Sequence, residues 1–443
     1  MRSVSPGADY PSPLCASAAT SVPTGPATHQ RFDGWRIVAL AALAHGVSLP
    51  LLGAYGVFAT PLVEEFGAST TQLGLGMSIA LLAIALVSAP LGALFDRGPL
   101  RTIMLAGAML MFTSVLALSR SVELWQLAVG FACAAVGISM YGASPVHVVL
   151  VNWFSKRRGT ALSLAHVGTS VGSLIVLPTT SWLIEWLGWR NALVALAAGA
   201  LSLALPVIAR FVKRPEDLGQ TPDGVSVEPA AASLVPRAGD GPSGASQVGG
   251  WLRDSNFWLI GGGAGLAFGV SIAILFLVRH LETLGIPRTR AAMIPASIGA
   301  FGIVGKVAAG WLVDRFEPRA VVVGTLVLQA LGWAIVASPS SFTWTVVASA
   351  LIGVGSSGFL PLPPVLQARC FGRDAIGRIG GLHGLIGLPF LLSAAPLVGW
   401  GEGRTGGFAV PFYGLAVALV LAAAALACVR VPEVELVPAV EHQ

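Results

Sequence analysis

The sequence predicts an all-α integral membrane protein, with twelve transmembrane helices in two six-helix, pseudo-symmetric halves. Three observations carry this. Of 443 residues, 55% are hydrophobic and 11% charged, whereas a soluble globular domain is roughly 25% charged. Apolar runs near the ~20 residues that a bilayer-spanning helix needs recur along the chain. One charged motif also occurs twice. Gly92-Ala-Leu-Phe-Asp96-Arg97-Gly-Pro-Leu-Arg101 is followed, 218 residues later, by Gly310-Trp-Leu-Val-Asp314-Arg315-Phe-Glu-Pro-Arg319. Each copy ends an apolar run with an acid, a base and a further Arg, as expected where one helix leaves the bilayer and the next returns.

Residues 1–33 are rich in Ser, Pro, Ala and Thr. They lack an apolar core, so they read as a disordered cytoplasmic tail and not as a cleavable signal peptide. The spans fall near 35–59, 72–95, 101–119, 124–150, 160–184, 190–210, 257–281, 289–313, 320–338, 343–366, 376–400 and 409–430. Six make an N-terminal half, 34–210, and six a C-terminal half, 253–430. Between them, 211–252 opens with Lys213-Arg214-Pro215 and continues in Pro, Gly, Ser and Ala, the composition of a flexible cytoplasmic linker. A short acidic cytoplasmic tail, 431–443, follows.

Charge placement orients the chain. With both termini inside, 19 of the 26 Lys and Arg fall on inner segments, six on outer loops, and Lys306 within a span. The positive-inside rule then puts both termini in the cytoplasm of a multi-pass protein of the cell (inner or plasma) membrane. The formal charge of +5 is no sign of nucleic acid, because the basic residues sit between apolar runs. Cys15, Cys133, Cys370 and Cys428 are too scattered for a disulfide framework or metal knuckle. No metal or cofactor is expected, and the expected partners are a substrate and the lipid bilayer around a monomer.

The repeat reaches beyond the charge knots. Phe154 follows Asp96 by 58 residues and His166 comes 12 later; Phe371 follows Asp314 by 57 and His383 comes 12 later. The doubled motif resembles the loop between the second and third helices of major facilitator superfamily transporters, repeated between the eighth and ninth. The first copy departs from that pattern at Gly98 and Pro99. Several stretches resemble the monocarboxylate and oxalate/formate porter branch: Tyr55-Gly-Val-Phe-Ala-Thr-Pro61-Leu-Val-Glu-Glu-Phe-Gly67, Asn152-Trp-Phe-Ser-Lys156-Arg157-Arg158-Gly159, Gly168 with Gly172 and Pro178, Gly188-Trp-Arg190, and Ala368-Arg369-Cys-Phe371. The resemblance implies the major facilitator fold and movement of a small organic anion, a monocarboxylate, by alternating access and often with protons. Lys306 stands where these porters commonly carry Arg. The acid and the first-span Lys of the animal porters align with Gly302 and about Gly53, so that proton-relay acid is absent.

Lys306 is the most informative candidate. It lies eight residues before Asp314, hence ~12 Å into the membrane at 1.5 Å per residue. An unpaired Lys at a helix centre costs roughly 2.5–3.5 kcal/mol. One reading is a water-filled cavity where the ammonium holds a substrate carboxylate; the other is snorkelling to the surface. His45, His166 and His383 can each carry a coupling proton or serve as neutral rings bonded between helices, and His147 lies nearer the inner surface. Tyr55, Tyr141, Ser356 and Ser357 fall on the first, fourth and tenth spans, which line the cavity in the resembling family. Their hydroxyls can bond an anion or join helices. Gly92, Asp96, Arg97, Arg101, Gly310, Asp314, Arg315 and Arg319 are read as conformational. Arg279, His280 and Glu282 read as an interfacial cluster or a gate.

Two soluble-enzyme signatures, Gly353-Val-Gly355-Ser-Ser-Gly358 and Gly168-Thr-Ser170-Val-Gly172, require a preceding strand and here fall in apolar helical runs. An exporter of a larger apolar or drug-like compound is the alternative transport reading. The absent antiporter signature (Pro178 has no adjacent Gly) and Lys306 count against it. A membrane sensor or enzyme would need an appended soluble domain or an acid or metal cluster, so no enzyme activity is expected.

Overall fold

The computed structural model describes residues 32–68, 70–224, 244–338 and 341–431. The expected tails up to residue 31 and from 432, and linker residues 225–243, lie outside the described residues. Helix α1 is Gly34–Ala59, α2 Thr70–Arg97, α3 Leu100–Leu118 and α4 Leu124–Trp153. A 53-residue helical run, Arg158–Arg210, breaks at Gly188 (φ 73, ψ 158) into α5 (158–187) and α6 (189–210). Only glycine adopts that backbone readily. Then come α7 (Ser255–Thr283), α8 (Arg288–Val313), α9 (Pro318–Ala337), α10 (Phe342–Phe371), α11 (Ile376–Thr405) and α12 (Ala409–Ala427). Length alone counts eleven spans; the Gly188 break makes the twelfth. No strand occurs among the described residues, and both enzyme-like glycine motifs lie within helices.

The first helix of each three-helix unit is interrupted. α1 turns at Ala54, four residues after Pro50, whose missing N–H removes a helical bond. α4 breaks at Gly142 (φ −93, ψ −119). α7 passes through a 3-10 stretch, Ile272–Phe276. α10 turns at Leu360 and Pro361 and restarts at Leu362, with Pro363 inside the first turn, where proline is tolerated.

Packing repeats between halves. α1 lies along α5 as α7 lies along α11; α2 along α4 as α8 along α10; α3 along α4 and α6 as α9 along α10 and α12. The halves meet at two seams, α2 with α11 and α5 with α8. At both, glycine lets backbones touch: a Cβ on Gly92 would strike the Gly377 carbonyl, and one on Gly310 would strike Ser163 and, at 2.7 Å, the Gly159 carbonyl. Trp153, Trp333, Phe257 and Phe412 fill the interior, while Leu86, Leu174, Trp186, Leu275 and Trp400 stand more than 60% exposed. Such a surface suits hydrocarbon rather than water.

The final Arg of each knot anchors a distant helix end. Arg101 Nε donates to the Phe211 carbonyl (2.6 Å) beyond α6, and Arg319 donates to the Val429 carbonyl (3.0 Å) beyond α12. The stretch expected as a flexible linker is folded over 211–224 and forms a helix over Gly244–Arg253. Lys213 Nζ donates to the Asp96 and Gly98 carbonyls (2.7 and 3.3 Å). Asp223 accepts from the Ser155 and Lys156 N–H groups. Arg214–Asp374 (2.8 Å) and Arg373–Glu216 (3.0 Å) reach the α10–α11 loop. Composition predicts flexibility there, but its few charged residues find tertiary partners.

Candidate functional site

The two acids of the charge knots act across the seams. Asp96, ending α2, accepts from the N–H groups of Gly377 (2.8 Å) and Arg378 (3.0 Å) in the first turn of α11. Asp314, just past α8, accepts from Gly159 (2.7 Å) and Thr160 (2.8 Å) in the first turn of α5. A helix N-terminus presents unpaired donors and the positive end of its dipole, so a carboxylate is well placed there. Each acid therefore caps a helix of the opposite half. The Arg378 guanidinium also approaches Asp96 (3.4 Å). Of the knots' first bases, Arg97 is exposed and Arg315 stacks over the Trp311 ring at 3.9 Å.

Further into the membrane, the seams carry different groups. Lys306 on α8 is 4% exposed and its Nζ donates to Ser170 Oγ on α5 (2.7 Å). Its ammonium is turned to the opposite half, not to the surface. Among the described residues its hydrogen-bond partner is a hydroxyl and no carboxylate pairs with it. At the same register in α2, 218 residues earlier, stands Ser88, whose Oγ donates to the Gly381 carbonyl on α11 (2.7 Å).

Four of the histidines separate into two groups. His45, His147 and His166 come together from α1, α4 and α5, with 3.1 Å between the Nε2 atoms of His147 and His166. His383 stands apart on α11, its Nδ1 2.9 Å from Gln367 Nε2 and its ring against Phe257. A cavity of about 440 Å³ lies between the halves. Leu81, Ser88, His147, Phe268, Gln367 and His383 are among its lining residues; Lys306 is not. Its walls are largely apolar with a few polar groups, the usual make-up of a small-molecule site.

The other candidates lie elsewhere. Tyr55 packs edge-on to Phe131 inside the N-terminal half, and Tyr141 is 1% exposed in that half's core. Ser357 abuts α8 at Gly302 and Ser356 is half-buried on α10. At the opposite face from the knots, Arg279 pairs with Glu402 (2.8 Å) and His280 Nε2 is 2.7 Å from the Val336 carbonyl, both within the C-terminal half. Glu65 accepts from Arg190 (2.5 Å) and from Trp189. These bonds, Arg190 first, hold its carboxyl below the usual range.

Ser88, Gln367 and Arg378 were not singled out from the sequence, and Ser170 enters there only within an enzyme-like motif that a helical run excludes. The repeat offset that pairs Asp96 with Asp314 also pairs Ser88 with Lys306 and would have found Ser88. Ser170 and Gln367 carry no comparable signal, because their partners are distant in sequence.

Residues 37–387, and again 259–442, match the family described as Major Facilitator Superfamily. Monocarboxylate transporter 12-B of Danio rerio is 26% identical over 303 residues, 64% of this chain and 61% of that protein. Monocarboxylate transporter 11 of Mus musculus is 27% identical over 397 residues, covering 86% and 83%. The chain thus spans about three fifths of the former relative and most of the latter. Among solved structures, the E. coli fucose:proton symporter superposes with TM-score 0.69 at 14% identity, over 89% of this chain and 98% of that one. A bacterial homologue of the iron transporter ferroportin, in its outward-facing state, gives 0.67 at 17%, over 90% and 98%.

Proposed function

This chain belongs to the major facilitator superfamily, and on that premise we propose a secondary transporter that moves a small organic anion, a monocarboxylate, by alternating access. The observation that carries the reading is Lys306: a buried cation at the seam between halves, bonded to a hydroxyl. A carboxylate drawn to it in a partly dehydrated site interacts more strongly than in water, because the effective dielectric is lower. The similarity to proteins named monocarboxylate transporters supports the same class. The charge-knot face is taken as cytoplasmic, from the positive-inside count. The Asp96 and Asp314 caps hold that face closed, and must release α11 and α5 for it to open. For a co-transported proton we assign His383, which lines the cavity.

Binding of lactate-sized and oxalate-sized anions to purified variants tests this. Lys306→Gln keeps a polar group and deletes the charge, so anion affinity should fall at least tenfold, about 1.4 kcal/mol. Lys306→Arg should retain much of the binding, although its geometry differs. Unchanged anion affinity in a folded Lys306→Gln protein would end the claim. The apolar cavity walls favour a second reading, export of a larger apolar compound. It would show as tight binding of a neutral hydrophobic ligand that Lys306→Gln leaves intact.

A further inference from the structure

Three imidazoles stand together inside the N-terminal half, and the transport reading uses none of them. His45, His147 and His166 have ring centroids 4.5, 5.2 and 5.8 Å apart, and one nitrogen from each lies within 4.8 Å of the others. His45 is 0% and His166 4% exposed. Among the described residues, neither ring nitrogen of His45 has a hydrogen-bond partner, nor has Nδ1 of His166. A buried polar group left unbonded costs on the order of 1–3 kcal/mol. The single contact between His147 and His166 joins two of the six nitrogens; a ligand shared through those two would also take up one nitrogen of His45, which has no partner otherwise among the described residues.

The backbone fixes this spacing. A Cβ on Gly172 would strike the Gly46 carbonyl, and one on Gly168 would strike the Ala42 carbonyl, so α1 and α5 touch on both sides of His45 and in the two turns that follow His166. His147 enters from α4 after its break at Gly142 and lines the central cavity, which gives the cluster an access route. Imidazole is the preferred nitrogen ligand for Zn²⁺, Cu²⁺, Ni²⁺ and Co²⁺. Bonds of 2.0–2.1 Å in a tetrahedral site set nitrogens roughly 3.3 Å apart, close to the 3.1 Å between His147 and His166. His45 must move inward by a ring adjustment. Lys306 bonds to Ser170, one helical turn past His166, so a dication there would face an ammonium. Three neutral imidazoles leave a coordination position open, and an anion in it would offset that repulsion.

We propose that His45, His147 and His166 form a three-imidazole site for a first-row transition-metal dication, with an anion in the fourth position. The site is independent of the substrate reading. The C-terminal half does not repeat it, because at the matching level a Cβ on Gly261 would meet His383, whose partner is Gln367.

The full chain, purified with a histidine-free tag and stripped with chelator, is titrated with Co²⁺ in chloride buffer and back-titrated with Zn²⁺. One Co²⁺ per chain should bind with the visible absorption of four-coordinate cobalt, and Zn²⁺ should bleach it. His45→Gln and His166→Gln should each weaken Co²⁺ at least tenfold, since even outer-shell changes cost 10–100-fold. His383→Gln, outside the cluster, should bind as wild type. No saturable cobalt absorption in the wild-type protein overturns the site. So does unchanged affinity in His166→Gln or, should that variant not fold, in His147→Asn at the cavity wall. Anion binding sensitive to Lys306→Gln, with no cobalt uptake, would sink the metal site and leave the transport reading standing.

Discussion

The α2–α11 and α5–α8 seams share a frame and differ in chemistry. Each has a glycine pressed against the opposite backbone, an Asp capping the opposite helix, and an Arg holding a distant carbonyl. Inward from that frame, one seam carries Ser88 and the other Lys306. Beside the first stand His383 and Gln367; beside the second stand three histidines. What both seams need in order to close is duplicated, whereas what would read a charged ligand occurs once. A duplicated feature is therefore best read as conformational, and an unduplicated polar one as chemical.

The largest test of that contrast is steric. Gly92→Val and Gly310→Val should each disfavour the closed charge-knot face by about 1–3 kcal/mol, the usual cost of overpacking. That is roughly 5- to 150-fold in population, read as faster alkylation of a cysteine placed at that face. Similar shifts at both sites support a common frame. Tolerance at one site alone would break it.

Next is the chemical difference. Lys306→Gln should weaken anion binding at least tenfold, about 1.4 kcal/mol, while Ser88→Ala removes a neutral bond and should change it less than about threefold. Equal losses would mean that both seams read the substrate.

A smaller effect separates the caps. Asp96→Asn and Asp314→Asn each keep one acceptor, so the closed state should lose about 1 kcal/mol, roughly fivefold. The loss should be greater at Asp96, which Arg378 also approaches. Transport rate should fall while substrate affinity stays within a few-fold. A collapse of affinity in a folded variant would refute the purely conformational role.

The smallest concerns the face away from the knots, where Glu65 meets Arg190 and Arg279 meets Glu402. The Glu65 carboxyl is held below its usual range, chiefly by Arg190. Its stabilisation is therefore present above the unfolded value, about 4.3, and lost as pH falls through the folded one. Thermal unfolding should show slightly less acid sensitivity in Glu65→Gln than in wild type. Identical pH profiles would remove that role.

The sequence by itself determined the class, the twelve spans and the repeat. Hydrocarbon admits only backbones that satisfy their own hydrogen bonds, so length and apolarity decide a span without reference to neighbours. It also exposed the charge knots, because charges are conspicuous in an apolar chain, and Lys306 for the same reason. The tertiary structure decided who meets whom. Nothing local says that Asp96 caps Gly377, that Lys306 finds Ser170, or that His45 and His147, 102 residues apart, share a site with His166. It also ordered residues 211–224, whose composition reads as flexible but whose charges meet partners on the α2–α3 and α10–α11 loops. Contacts between helices depend on which faces the fold presses together, and small residues such as Gly46 and Gly172 permit that closeness without naming their partner.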